Sequence, residues 1–204
     1  MIGIIDYGMS NLKSVQNAFD FLQCPNQIFT NPTEIKKYDK LILPGVGAFG
    51  LAMEKLNITG FSDEIKEYVL AKNKPFMGIC LGMQLMLDSS VEKGFNKGLG
   101  LINGEVRFLG DQIKNMPIPH VGWNTVLPQN DSMFFKEIDK NDPTFYFVHS
   151  FYCDVFEKKI VSGTVNYGFN FDVAIENNAI FAFQFHPEKS QKNGLKLLDK
   201  FAKL

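Results

Sequence analysis

The chain has 204 residues, which is enough to bury the core of one sizeable α/β domain. Hydrophobic residues make up 45% and charged residues 21%, and 21 basic against 22 acidic residues leave no net field that would attract nucleic acid or an anionic membrane. No apolar run approaches the roughly 20 residues that a membrane span needs, so we expect neither a nucleic-acid partner nor a membrane role.

Strand and helix patterns alternate through the first half of the chain. They predict strands at 2–6, 27–30, 41–43 and 75–79, and helical segments at 12–22, 34–38, 49–56 and 65–70. Strands that alternate with helices are typical of a mostly parallel sheet that is covered by helices on both faces.

In the second half, turns separate short strands. Strands are predicted at 101–109, 144–148, 159–165, 171–176 and 179–185, and a last helix at 192–203. Pro117, Pro119 and Pro128 interrupt the segment 109–140, which we expect to be loop-rich. No repeat, low-complexity tract or linker divides the chain, so residues 1–204 are predicted to form a single α/β domain with an antiparallel extension.

The cysteines give information about the compartment. Cys24, Cys80 and Cys153 are odd in number and widely spaced, and the sequence contains no C-x-x-C. They therefore favour neither a disulfide framework nor a zinc site, and we expect no metal. The N-terminus, MIGIIDYG, lacks the basic region of a signal peptide, so the chain is expected in a reducing cytoplasm.

The segment FMGICLGMQLML, residues 76–87, contains the strongest catalytic signal. A buried strand ends in the G-x-C-x-G motif of residues 78–82 and passes without a spacer into an apolar helix through Leu81, Leu85 and Leu87. This pattern is the thiol counterpart of the serine nucleophile elbow. The flanking glycines fit the close approach at a strained corner, and the helix N-terminus favours a Cys80 thiolate. A buried cysteine in a tight turn is the alternative, which the paired glycines disfavour.

Three histidines are candidates for the general base of a cysteine nucleophile. His186 ends an apolar strand and lies two residues before Glu188, so both side chains project to the same side of an extended chain. Cysteine, histidine and an orienting carboxylate are the parts that thiol acyl chemistry requires. His120 lacks an adjacent acid and is expected to be structural or at an interface. His149 ends another strand, where it is either a pocket-lining residue or an ordinary hydrogen-bonded histidine.

A glycine loop in LILPGVGAFG suggests a different function. Residues 45–50 match G-x-G-x-x-G, the fingerprint of a dinucleotide-binding turn, so a nucleotide-binding module is an alternative. That module would have the loop after its first strand and an acidic residue at the end of the next strand. Here two predicted strands precede the strand that leads into the loop, and the following strand, 75–79, runs into Cys80 with no acid at its end.

Five motifs together resemble those of the class I (triad) glutamine amidotransferases, and specifically the glutaminase subunits of imidazole glycerol phosphate synthase. They are DYGMSNL at 6–12, LPGVGAF at 43–49, GICLGMQ at 78–84, PHVGWN at 119–124 and FHPEKS at 185–190. The resemblance implies a flavodoxin-like fold with a mostly parallel central sheet. The sequence departs from the family pattern at Ser10, where glycine is usual, and at residues 170–172, where the family is usually more apolar.

The resemblance also implies hydrolysis of the glutamine side-chain amide to glutamate and ammonia. In that reaction Cys80 attacks the amide carbon, and His186, oriented by Glu188, protonates the leaving ammonia and then activates water. The backbone N–H groups of Leu81 and of Gly47 or Val46 are the expected oxyanion donors. The expected substrate-binding residues are Gln84, Gly45, His149 and Ser150. No metal or organic cofactor is expected.

The family partner is a cyclase subunit with a (β/α)8 barrel, which receives the ammonia in a heterodimer and makes imidazole glycerol phosphate in histidine biosynthesis. Asn11 and Trp123 are the candidates for the docking face, although Trp123, the only tryptophan, can also be interpreted as an ordinary partly buried aromatic. A paralogous glutaminase that supplies a different synthase, for example one that modifies a sugar, is an alternative with the same chemistry. A catalytically idle relative is disfavoured because Cys80, His186 and Glu188 are all present.

Overall fold

A computed structural model describes residues 1–129 and 131–204 of the chain. The first half alternates strands and helices, as the sequence predicts. Its strands are β1 (Ile2–Ile5), β2 (Asn26–Phe29), β3 (Lys40–Gly45) and β4 (Phe76–Cys80). Its helices are α1 (Leu12–Phe21), α2 (Phe49–Thr59), α3 (Phe61–Lys66) and the short α4 (Leu81–Leu85), with a 3-10 helix at Pro32–Lys37 and a π-helical turn at Glu67–Ala71.

The second half consists mainly of strands and ends in one helix. The strands are β5 (Leu87–Ser90), β6 (Asn96–Lys97), β7 (Ile102–Phe108), β8 (His120–Pro128), β9 (Thr144–His149), β10 (Phe151–Val155), β11 (Val161–Asn166), β12 (Asn170–Asn177) and β13 (Ile180–Phe183). Short 3-10 helices lie at Leu109–Asp111, Lys158–Ile160 and Pro187–Lys189. Helix α5 (Gln191–Ala202) closes the chain.

The sheet has a parallel centre and an antiparallel extension, so the predicted fold class is confirmed. Five neighbouring strands, in the order β2-β1-β3-β4-β13, are parallel, and β12 continues the sheet antiparallel to β13. Beyond β12 the order is β10-β7-β5-β6, while β11, β8 and β9 branch from β12. Parallel strands place their carboxyl ends at one edge, so β3, β4 and β13 end side by side.

Helices cover both faces of the parallel part, and each strand supplies side chains to two cores. Within β3, Leu41 and Leu43 pack into one buried cluster with residues of α2 and α3, whereas Ile42 packs into the other with residues of α1 and α5. This alternation is the period of a strand that is buried on both faces. No helix in the described parts of the chain has the length and apolarity to cross a membrane.

The segment 109–140 is loop-rich on either side of β8, but the expectation that its prolines interrupt any regular element is wrong, because β8 runs through it and pairs with β9 and β11. Pro117 and Pro119 precede β8 and Pro128 is its last residue, positions at which the missing proline N–H does not break a ladder. Asn130, in the same segment, lies outside the described residues. The predicted helix through Leu87 is also wrong, because α4 ends at Leu85 and β5 begins at Leu87.

Candidate active site

Cys80 lies on a strained corner at the carboxyl edge of the sheet. It is the last residue of β4, and α4 begins at the next residue. Its backbone has φ +54° and ψ −110°, on the side of the Ramachandran map that residues with a side chain rarely adopt. A Cβ at Gly82 would lie 1.8 Å from the Leu43 carbonyl oxygen, and one at Gly78 would lie 2.8 Å from the Gly82 backbone. Both glycines are therefore required by close backbone approach.

His186 and Glu188 form a buried pair beside this corner. The His186 Nδ1 and Glu188 Oε1 atoms are 2.7 Å apart, and the two side chains are 3% and 2% exposed. The other imidazole nitrogen, Nε2, is buried without a hydrogen-bond partner in the described protein. Burial alone would lower the pKa of His186, but the interactions with the Cys80 sulfur and the Glu188 carboxylate outweigh it and raise that pKa well above its ordinary value. The imidazole is therefore expected to be a cation at neutral pH, next to a potential thiolate.

One cavity of about 340 Å³ brings most of the predicted site residues together. The predicted residues that line it are Val46, Gly47, Cys80, Leu81, Gln84, His149, Ser150 and His186. Glu188 lies behind His186, and it lines a smaller adjoining pocket with Asn11 and Gly45. Trp123 lines neither of these pockets, but its indole meets the Tyr146 ring edge-on at 6.0 Å.

The glycine loop faces Cys80, but one of its N–H groups is engaged elsewhere. Gly45 and Cys80 are register partners on β3 and β4, which brings the following residues beside the sulfur. The Val46 N–H donates to the Met9 carbonyl oxygen at 3.0 Å, so in this conformation it cannot donate into the cavity. Gly47 has φ +101°, a conformation that glycine adopts without strain.

The same loop does not fit a phosphate. Helix α2 begins at Phe49, where a nucleotide-binding turn would place the pyrophosphate. The Glu92 carboxylate already accepts a hydrogen bond from the Phe49 N–H at 2.7 Å. A phosphate at this position would have to displace a carboxylate of the same charge sign.

Two glutamines connect the walls of the cavity. The Gln84 Nε2 donates to the Phe151 carbonyl oxygen and to the Gln184 Oε1, both at 3.0 Å. These two bonds use both hydrogens of that nitrogen, so only the Gln84 oxygen remains to contact a bound ligand. The Gln184 Nε2 lies 3.8 Å from the Cys80 sulfur. Gln184 was not predicted as a site residue, because no motif of its own marks this position.

His149 is both a pocket-lining residue and a hydrogen-bonded histidine, the two alternatives that its sequence position allowed. It lines the cavity, and it is hydrogen-bonded on both sides: its Nδ1 lies 2.8 Å from the Phe151 carbonyl oxygen and its Nε2 lies 3.0 Å from the His120 Nδ1. Asn124 contacts the other nitrogen of His120 at 3.2 Å. Burial lowers the pKa of His149 to about 3 and that of His120 to about 4, so both are neutral at physiological pH.

Two charged residues of the cavity were also missed by the sequence analysis. Glu92, between β5 and β6, and Lys189, directly after Glu188, both line the cavity with Cys80. Glu92 lies outside the motifs, and Lys189, although it belongs to FHPEKS, has the appearance of an ordinary surface charge. Within residues 1–129 and 131–204, no three His, Cys, Asp or Glu side chains are grouped so that they could hold a metal ion.

Comparisons with known proteins agree on one family. The sequence model of the class-I glutamine amidotransferases matches residues 3–204. The imidazole glycerol phosphate synthase subunit HisH of Chlorobium luteolum is 48% identical over 204 residues, covering 99% of both chains. HisH 1 of a Campylobacter jejuni strain is 47% identical and covers both chains completely. Among solved structures, PurLQS of Thermotoga maritima matches with a TM-score of 0.75 at 16% identity over 99% of this chain and 97% of that one, which supports the fold.

Proposed function

The chain belongs to the class I glutamine amidotransferase family, and on that premise we propose that it is the glutaminase subunit of an imidazole glycerol phosphate synthase in histidine biosynthesis. The observation that supports the chemistry best is the position of Cys80, which lies on a strained strand-to-helix corner and shares one cavity with His186. The His186 Nδ1 is bonded to Glu188, which leaves its Nε2 free to act on the sulfur or the substrate. The whole of residues 1–204 serves as one glutaminase domain, and its compartment is the cytoplasm.

The reaction proceeds through a thioester on Cys80. The thiolate attacks the side-chain amide carbon of glutamine and forms a tetrahedral oxyanion. The His186 imidazolium then gives its proton to the departing nitrogen, which leaves as ammonia. Neutral His186 next takes a proton from water, the hydroxide attacks the thioester, and glutamate leaves as the thiolate is restored. Glu188 holds the imidazole and favours its cationic form.

The oxyanion is stabilised by backbone N–H groups. Leu81, the first residue of α4, supplies one donor, and Gly47 or Val46 supplies the second. Because the Val46 N–H is bonded to Met9, Val46 can contribute only after its peptide turns. One such donor typically contributes about 3 kcal/mol of transition-state stabilisation. If the Val46 peptide turns only when the partner docks, the isolated subunit lacks this donor and hydrolyses glutamine slowly.

The cavity offers complementary groups to an α-amino acid. Gln84 and Ser150 meet the polar groups of the substrate, next to His149 and the side-chain-free Gly45. Glu92 can receive the ammonium group and Lys189 can receive the carboxylate, since both line the same cavity. Glutamine carries both charges, and its amide would then extend towards Cys80.

The ammonia passes to a synthase partner, because free ammonia is largely protonated at neutral pH and no longer nucleophilic. The partner is a cyclase subunit with a (β/α)8 barrel, and the two chains form a heterodimer. Asn11 and Trp123 lie on the docking face. Asn11 is exposed directly before α1, and Trp123 is 49% exposed on β8.

A glutaminase assay with and without the histidine-pathway cyclase subunit and its nucleotide ligand tests this function. We expect low activity alone, strong stimulation by the complex, and complete loss in Cys80→Ser. Cys24→Ser is the matched control and should keep full activity, because Cys24 lies between α1 and β2, at the opposite edge of the sheet. Activity that persists in Cys80→Ser would exclude the assigned nucleophile. Absence of stimulation would exclude the assigned partner and favour a paralogous glutaminase for another synthase.

A further inference from the structure

Gln184 is a fully buried polar residue that touches the reacting atom. It follows β13 directly, lies two residues before His186, and its exposed fraction is 0%. Its Nε2 is 3.8 Å from the Cys80 sulfur. A side chain of this polarity is rarely buried next to a thiol unless its hydrogen bonds are satisfied there.

The hydrogen-bond network fixes which end of the Gln184 amide faces the sulfur. The Phe151 carbonyl oxygen can only accept, so the Gln84 atom 3.0 Å from it is the nitrogen. The second hydrogen of that nitrogen needs an acceptor, so the Gln184 atom 3.0 Å away is its oxygen. The remaining terminal atom of Gln184, the one near Cys80, is therefore an N–H donor.

The Phe151 carbonyl also accepts from His149, which is itself bonded to His120. The His149 Nδ1–H donates to it, so the His149 Nε2 must accept from the His120 Nδ1–H. The His120 Nε2 is then the acceptor for the Asn124 amide. The Phe151 carbonyl therefore accepts from His149 on one side and from Gln84 on the other, and both contacts hold it in place at the cavity wall.

We propose that Gln184 is a further catalytic residue, whose side-chain N–H holds the Cys80 thiolate, and that Gln84, fixed by the Phe151 carbonyl, keeps its amide in the donating orientation. This proposal deepens the proposed function and rests on Cys80 being its nucleophile. The N–H stabilises the anionic sulfur before attack and again when the thiolate leaves the thioester. No proton is transferred to or from Gln184.

Alkylation of Cys80 by iodoacetamide tests the proposal without any substrate. Gln184→Met keeps the length of the side chain and removes the donor. Because a hydrogen bond to the charged sulfur favours the thiolate, we expect loss of the donor to move the pH profile of Cys80 alkylation upward. The other titratable groups around Cys80 are unchanged in this variant; they are His186, Glu188, Tyr7, Cys153 and the cavity residues Glu92, His149 and Lys189.

The controls separate this effect from misfolding and from a failed glutaminase assignment. Gln27→Met makes the same exchange at an exposed position of β2 and should alkylate Cys80 at the wild-type rate, as measured by mass spectrometry of the Cys80 peptide. A folded Gln184→Met protein with the wild-type pH profile would overturn the proposal. Glutaminase activity in Cys80→Ser would overturn the nucleophile instead, whatever the alkylation rates are.

A second measurement on the unaltered protein covers the case in which Gln184→Met does not fold. The side-chain amide signals of ¹⁵N-labelled glutamines are recorded by NMR before and after alkylation of Cys80. We expect the Gln184 N–H signal to shift and its exchange with solvent to rise when the sulfur loses its charge. An unchanged Gln184 signal would contradict a hydrogen bond to the thiolate.

Discussion

The positive φ of Cys80 destabilises the folded protein, because only glycine adopts such a conformation without strain. A residue with a side chain in such a sparsely populated region carries about 1–3 kcal/mol of strain. The corner persists because the packing of its neighbours determines it: Gly82 lies against the Leu43 carbonyl and Gly78 against Gly82. The strain holds the sulfur at the end of β4, where it shares a cavity with His186.

This strain can be measured by comparing Cys80→Gly with Cys80→Ala. Both variants remove the sulfur, but only glycine relaxes the positive φ. Glycine loses about 0.5–1 kcal/mol through its greater freedom in the unfolded chain, so we expect Cys80→Gly to be about 1 kcal/mol more stable than Cys80→Ala in urea unfolding. A Cys80→Gly variant that is about 0.5–1 kcal/mol less stable than Cys80→Ala would mean that the corner is not strained.

The residues of the site differ in how far the sequence could predict them. Cys80 and His186 were predictable because their signals are local: glycines two positions either side of the cysteine, and a glutamate two positions after the histidine. Gln184 and Glu92 were not predictable, because their roles arise from contacts with residues distant in the chain, Gln84 for one and Phe49 for the other. Such contacts leave no spacing that a sequence pattern can report.

Among the elements, β8 and β9 form the structural support beneath the cavity. His120 and His149 are register partners in this strand pair, and the His120 ring stacks on Phe147 and Tyr167, with centroids 4.7 and 4.0 Å away. The two imidazoles are 2% and 6% exposed, so they are held neutral in an apolar surrounding. Protonation of either would place an uncompensated charge in the core.

His120 and His149 should make the protein less stable in mild acid. Both histidines have lowered pKa values in the folded state, so below about pH 6.5 the unfolded chain binds more protons and stability falls as pH falls. His186 has a raised pKa and acts in the opposite direction, but most of its contribution is already present at pH 7. We expect the free energy of unfolding to drop by on the order of 2 kcal/mol between pH 7 and pH 5.

His120→Asn is the variant that isolates this effect. It removes one of the two imidazoles that destabilise the fold in acid, whereas His186 still acts in the opposite direction, so the dependence of the unfolding free energy on pH between 5 and 7 should fall to less than half. Urea unfolding at several pH values gives the slope directly. A slope equal to that of the wild type would show that the buried histidines are not the cause.

The strands differ from one another in how predictable they were. β1, β3 and β4 are buried on both faces and form short apolar runs, which the sequence identified within one or two residues at each end; in β3 it missed Lys40 and Pro44–Gly45. β8 follows two prolines, contains Gly122 and ends at Pro128, so its own residues favour a loop. Its strand form depends on hydrogen bonds to β9 and β11, which are tertiary contacts.

At the scale of the whole molecule, the carboxyl edge of the sheet carries both the cavity and exposed apolar side chains. Trp123 is linked to the cavity through Tyr146, whose ring lies 5.9 Å from the Lys189 ammonium that lines it. Val46 on the glycine loop is 42% exposed and lines the cavity as well. A partner that covers this edge would close the cavity mouth and exclude water from the ammonia.

The position of Trp123 predicts that it anchors the synthase partner. A half-exposed tryptophan next to a cavity is a typical interface hot spot, and truncating one costs about 2 kcal/mol, or about 30-fold in affinity. We therefore expect Trp123→Ala to weaken binding of the cyclase subunit about 30-fold, measured by calorimetry. The matched control is Phe21→Ala: Phe21 is 74% exposed at the end of α1, at the opposite edge of the sheet, and its loss should leave affinity unchanged. Wild-type affinity in both variants would place the docking face elsewhere on the molecule. A loss of affinity confined to Trp123→Ala would place the partner over the mouth of the cavity that holds Cys80.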